Sequence, residues 1–81
     1  MTGRILPISA KKAIKALEKL GFVQVRQKGS HLFMQHPDGR STIVPVHAGK
    51  YIGKGMIRKL INDAKLSRDE WMDLINSLII F

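Results

Sequence analysis

The run Gly29-Ser30-His31 combines residue types that can do chemistry. Glycine lets the backbone turn tightly, and a histidine that enters a strand directly after the turn can project from the exposed face of a sheet. Neutral imidazole is a suitable general base, because its ordinary pKa lies close to neutral pH. Spacing alone makes such a run a weak signal, since a turn histidine on a surface is more often inert. Two further histidines have other settings. His47 follows Val44-Pro45-Val46 and opens a loop, through Gly55, that is rich in glycine and lysine. There it could serve as a general acid, touch an anion, or bond a loop carbonyl, and the residues leave these readings open. His36 precedes Pro37-Asp38-Gly39 and reads as a solvated hairpin residue. A metal triad of His31, His36 and His47 lacks the carboxylate pair or cysteine that would support it, so no metal is expected.

The charge pattern narrows the partner. The chain has 81 residues, 14 Lys and Arg, 6 Asp and Glu, no cysteine and a formal net charge of +8. Residues 1–55 carry ten of the cations against Glu18 and Asp38 alone, whereas residues 56–81 hold four of each sign. The whole excess therefore lies in the first two thirds, and a polyanion is the expected partner, because neutralising phosphates releases their counterions. Lys50 and Lys54 flank Gly49, Gly53 and Gly55 just before an expected helix, whose N-terminal N–H groups welcome phosphate. The loop lacks the glycine spacing and the Lys-Ser/Thr ending of a Walker motif. If the polyanion is RNA, the ribose 2′-hydroxyl supplies the nucleophile. The protein then needs only a base, a proton donor and cations for the developing phosphorane charge. No disulfide or thiolate metal site can form without cysteine, which fits a reducing cytosol. No apolar stretch suits a signal peptide or a membrane span, so a cytoplasmic location without membrane contact is expected.

These residues need elements to position them. Length points to a single domain over residues 1–81. Residues 1–8 read as an extended arm. Ser9 is a good N-cap for a helix whose apolar stripe is Ala13, Ile14, Leu17 and Leu20, and Gly21 stands where a left-handed residue would end it. From Phe22 to Lys28, Val23 and Val25 alternate with Gln24 and Arg26, which suits a half-buried strand. Gly29-Ser30 is a turn, His31–Gln35 a second strand, Pro37-Asp38-Gly39 a hairpin turn, and Ser41–Val46 a third strand with Pro45 near a sheet edge or strand end. Met56, Ile57, Leu60, Ile61 and Ala64 mark a second helix. Ser67-Arg68-Asp69-Glu70 is a capping box opening a third, in which Trp71, Leu74, Ile75 and Leu78 are apolar. The order α-β-β-β-α-α predicts an α+β, two-layer fold, with a three-stranded antiparallel sheet and its helices on one face.

The chain resembles the HicA family of mRNA-interferase toxins. The resemblance rests on LPISAKKAIKALEKLGF, VRQKGSH, HPDGRSTIVPVHAGKYIGKGMIRKLINDAKLS and DEW, in that order. Departures are few: Ala10 stands where glycine is common, Trp71 where phenylalanine is common, and the tail from Leu78 to Phe81 is unusually apolar. The resemblance implies a fold like a double-stranded-RNA-binding domain, and cleavage of mRNA with His31 as the catalytic residue. It also implies a toxin–antitoxin pair in which a HicB-type antitoxin occludes the site. The family pattern has a histidine at the place of His47 as well. Lys28, just upstream of the Gly-Ser-His element, is then the foremost candidate to stabilise transition-state charge, followed by Arg26. Ser30, Lys50 and Lys54 join these two as expected phosphate contacts. No small-molecule cofactor is called for. Tyr51 could stack on a base, with burial as a loop anchor the stronger expectation, and Trp71 reads as core or partner interface. A non-catalytic RNA-binding module of the same fold competes with the enzyme, since fold does not fix function. An interaction protein whose basic face serves only an acidic partner is a third reading.

Overall fold

The computed structural model describes residues 5–47 and 51–79. In chain order the elements are β1 (Ile8–Ser9), α1 (Ala10–Leu20), β2 (Val23–Lys28), β3 (His31–Gln35), β4 (Ser41–Pro45), β5 (Tyr51–Ile52), α2 (Lys54–Asp63) and α3 (Arg68–Ile79). Strands β2, β3 and β4 form an antiparallel sheet in that order, and β1 pairs with β5 in a separate two-stranded ladder. The architecture is α+β, as the residue pattern predicts, and like a double-stranded-RNA-binding domain, as the resemblance implies.

Local chemistry explains the helix boundaries. The Ser9 hydroxyl accepts the Lys12 N–H at 3.2 Å and caps α1. At the other end Gly21 takes φ +115°, its N–H donates to the Glu18 carbonyl, and the Phe22 N–H donates to that of Leu17. This is a Schellman ending, in which two orphan carbonyls are satisfied and the following residue, here Phe22, turns into the core. Helix α2 ends the same way, with Lys65 bonded to Asn62 and Leu66 to Ile61, but Lys65 itself takes the left-handed φ of +56°. The capping box of α3 is reciprocal: the Ser67 N–H donates to Glu70 Oε1 at 2.8 Å and the Glu70 N–H to Ser67 Oγ at 3.1 Å. The Ser67 N–H, first among the causes, holds the Glu70 carboxyl below its usual range.

The core lies between the sheet and the helices. Leu32, Met34 and Val44 point inward from β3 and β4 and are buried with Ala13, Ala16 and Leu17 of α1 and Ile57 and Leu60 of α2. Trp71 of α3 is a core residue, 1% exposed, and Leu78 packs against the same cluster. Lys19 Nζ on α1 donates to Ser77 Oγ on α3 at 2.9 Å, so this cation serves helix packing. No helix among the described residues is long and apolar enough to cross a membrane.

Two expectations need correction, and one gains detail. The extended arm is anchored from Ile5, which is buried, and β1 pairs with β5, Ile8 opposite Ile52 and Ser9 opposite Tyr51. A two-residue ladder between segments more than forty residues apart leaves no periodic trace. Strand β2 is not half-buried, since all six of its residues are exposed. It is an edge strand with a bulge between Gln24 and Arg26, and the residue that enters the core is Phe22, just ahead of it. Helix α2 begins at Lys54, which brings Lys54 and Gly55 out of the expected loop and into its first turn.

Candidate nucleic-acid interface

The site starts from the turn between β2 and β3. Two residues, Gly29 and Ser30, connect strands in which Lys28 and His31 are direct partners. Gly29 has φ +59°, whereas Ser30 is not among the described residues with positive φ. Positive φ at the first central position alone is what a type II′ hairpin turn requires, and glycine supplies it at no steric cost. The side chain of Gln27 donates to the Gly29 carbonyl at 3.0 Å, and the Ser30 carbonyl accepts the Val46 N–H. The turn is thus braced from both neighbouring strands.

Side chains alternate across a strand, so burial on one face assigns the other. Leu32 and Met34 are buried, which places His31, Phe33 and Gln35 on the open face of the sheet. Register then builds three rows: Lys28, His31 and Pro45; Arg26, Phe33 and Ile43; Val23, Gln35 and Ser41. Opposed residues in such a ladder have Cβ atoms about 4.5–5.5 Å apart. Lys28 is therefore a neighbour of His31 across the turn, both exposed. The Arg26 guanidinium sits over the Phe33 ring, 5.0 Å from its centroid. None of the nine residues in these rows is acidic.

Past Pro45, the partner of His31, a second feature opens. Pro45, His47, Tyr51, Ile52, Gly53 and Met56 line a hollow at the start of α2. His47 is exposed, and Tyr51 is 72% exposed, so Tyr51 is not a buried anchor; its backbone, paired with Ser9, does the anchoring. Gly53 precedes α2 with no side-chain cap, and the first turn contains Lys54 and no acid. The helix dipole and Lys54 are thus positive together, which favours an anion at that end. Lys50 lies outside the described residues. Of the sequence-predicted residues, Arg26, Lys28, Ser30 and His31 fall on one hairpin, and His47 and Lys54 lie beyond Pro45.

His36 does something else. Its ring packs edge-on against Phe22, centroids 5.3 Å apart. Nε2 lies 3.2 Å from the Leu20 carbonyl and Nδ1 accepts the Asp38 N–H at 3.1 Å. The ring is part-buried and structural, not a solvated hairpin residue, because α1 ends against it. Arg40 is structural too. It donates to Asp38 at 2.8 Å and to the Ala64 carbonyl at 2.6 Å, and its guanidinium lies 5.4 Å from the Phe22 ring centroid. The backbone N–H of Arg40, before its guanidinium, holds the Asp38 carboxyl below the usual range. On α2, Asp63 accepts from Lys59 and from buried Thr42. Among the described residues, no group of three or more His, Cys, Asp or Glu could hold a metal ion.

Phe33, under the Arg26 guanidinium, is a residue of this open face that the sequence reading missed. The signal was present, since alternation from His31 through His-Leu-Phe-Met-Gln puts Phe33 on the face of His31. Among curated proteins none matches the chain. A family profile described as the HicA toxin of bacterial toxin–antitoxin systems matches residues 10–66, from the first residue of α1 to the Leu66 that closes α2. That match spans the sheet, the hairpin carrying His31 and the start of α2, and the chain belongs to the HicA toxin family.

Proposed function

We propose that this toxin is an endoribonuclease that cuts mRNA in the cytoplasm without a metal ion, with His31 as general base. The observation that carries the reading is the pairing of Lys28 with His31 across a braced two-residue turn, on a sheet face whose three rows contain no acid. His31 removes the proton from a ribose 2′-hydroxyl. The resulting oxygen attacks the adjacent phosphorus, the bond to the 5′-oxygen breaks, and a 2′,3′-cyclic phosphate and a 5′-hydroxyl end result. Lys28 offsets the charge that gathers on the phosphorane oxygens. In this reading His47, beyond Pro45, returns a proton to the leaving oxygen or holds a flanking phosphate. Arg26, Ser30, Lys50 and Lys54 contribute to phosphate binding, and the positive first turn of α2 supports the part given to Lys54. Family membership supports a cognate antitoxin of HicB type, whose binding over the His31 face excludes RNA.

The test uses purified protein, a short single-stranded RNA and analysis of the product ends. His31→Ala is expected to lower the cleavage rate by about 10²–10⁴, the range for a lost general base, while the protein stays folded. Cleavage by the wild type is expected to continue in EDTA. A folded His31→Ala protein that cuts at the wild-type rate would overturn the assignment. RNA binding with no cleavage by the wild type would favour the non-catalytic RNA-binding module.

A further inference from the structure

Arg26 and Phe33 form a cationic, aromatic platform one row from His31, and Phe33 has no part in the cleavage chemistry. We propose that this pair is a nucleobase-stacking site holding a base beside the scissile phosphate, an inference that rests on the RNA-cleaving reading of the same face. Phe33 follows His31 by two residues on one strand, so the two Cα atoms are about 6.5 Å apart along it. That is the scale of one nucleotide step. The guanidinium lies over the ring at 5.0 Å, and a guanidinium plane backed by an aromatic ring presents an extended π-surface to a third planar group. Phe33 is half-buried with Ile43 beside it, so the platform is held rather than loose.

The surroundings fit a base of single-stranded RNA. Arg26, Phe33 and Ile43 border an open hollow, which also takes in Met34 and Thr42 of the covered face and the Lys59–Asp63 pair of α2. Phe33 and Ile43 give the hollow an apolar part, and the next row supplies the Gln35 amide and the Ser41 hydroxyl, groups that can bond the edge of a stacked base. The three rows carry Lys28 and Arg26 and no acid, which complements a phosphate backbone. Duplex RNA would keep its bases stacked inside and could not use a platform of this kind, so the face selects an unpaired strand. A stack tolerates every base because each has a π-face, so Phe33 sets which position is held more than which base is read.

The experiment measures binding of a short 2′-O-methyl oligonucleotide, which lacks the nucleophile and stays intact, to the wild type, Phe33→Leu, Phe33→Tyr and Arg26→Lys. Phe33→Leu is expected to weaken binding about 5- to 150-fold, the range for loss of one base–aromatic stack, and Phe33→Tyr to retain it. Arg26→Lys keeps the charge and loses the plane, so affinity falls while the salt dependence is unchanged. A series with one abasic position each should show one position whose loss matches that of Phe33→Leu, with no further loss when the two are combined. Equal binding by Phe33→Leu, additive losses at every position, or an effect confined to a protein partner would overturn the stacking site. Cleavage that fails while Phe33-dependent binding persists would remove the nuclease reading and leave the stacking site standing. Absence of all RNA binding would remove both.

Discussion

Two histidines only five residues apart on the chain should fail in opposite ways when removed. His31 is exposed on the open face, and its ring has no hydrogen-bond partner among the described residues. Replacing it with alanine should change stability by no more than about 0.5 kcal/mol, as for other exposed positions. His36 accepts the Asp38 N–H, lies 3.2 Å from the Leu20 carbonyl and packs on Phe22. Each hydrogen bond contributes roughly 0.5–1.5 kcal/mol net, and the ring pair about 0.5–1.5 kcal/mol. His36→Ala should therefore cost about 1.5–4.5 kcal/mol, a fall in melting temperature of roughly 6–36 °C for a domain of this size. Gly21 tests the same contact from the other side: a Cβ placed there would lie 2.7 Å from His36 Nε2, at a φ of +115° that L-residues rarely adopt. Gly21→Ala should be strongly destabilising alone and distinctly less so in the His36→Ala background, where the clash is gone. Thermal melts of the four proteins, with RNA cleavage measured below each melting temperature, decide the matter. A neutral His36→Ala, an unfolded His31→Ala, or strict additivity of Gly21→Ala with His36→Ala would refute the division of roles.

Three other outcomes follow from the backbone and the carboxylates. Gly29→Ala should cost about 1–2 kcal/mol in chemical denaturation, because φ is +59° and nothing lies within 4 Å of the added Cβ, so the penalty is conformational alone. Lys65→Gly should stabilise by up to about 1 kcal/mol, since it relieves the left-handed lysine that closes α2, less the added freedom of glycine in the unfolded chain. Asp38 and Glu70 both hold their protons less tightly in the folded state. Their stabilisation is complete at neutral pH and is lost as pH falls below about 4, where the unfolded chain takes up protons first. The melting-temperature gap between wild type and Glu70→Gln should accordingly shrink on acidification, and a gap that stays constant would count against the Ser67–Glu70 box as its source.

What the sequence discloses depends on the distance over which each cause acts. Ser9, Gly21 and the Ser67–Glu70 pair act within one helical turn, and each does what its type predicts. Lys28 opposite His31, and Arg26 opposite Phe33, follow by counting outward from a two-residue turn. Counting fails at the bulge beside Val25, beyond which Val23 and not Gln24 shares the open face with Gln35. The apolar alternation of Val23 and Val25 was misleading for a related reason: period alone cannot tell a covered strand from an edge strand. The role of His36 rests on a carbonyl sixteen residues away, and the β1–β5 ladder on two short segments that only the tertiary fold brings together.

Strand β3 shows how a small domain can keep an open, charged face without weakening its core. Leu32 and Met34, 3% and 1% exposed, alternate with His31, Phe33 and Gln35. Each outward residue is therefore flanked along the chain by residues fixed in the core, and close packing there leaves them little freedom to shift. The outward positions are in turn largely released from the demands of stability, so charge and an aromatic plane can be set there for a ligand. The same reasoning accounts for the different uses of the cations. Lys19, Arg40 and Lys59 are each bonded to protein groups, at a helix pair, a helix end and an acidic partner respectively. Arg26 and Lys28 stand on an exposed edge strand facing β3. Substitutions on the outer face should therefore alter RNA handling at nearly constant stability, whereas Leu32→Ala or Met34→Ala should cost about 2–5 kcal/mol and lose both together.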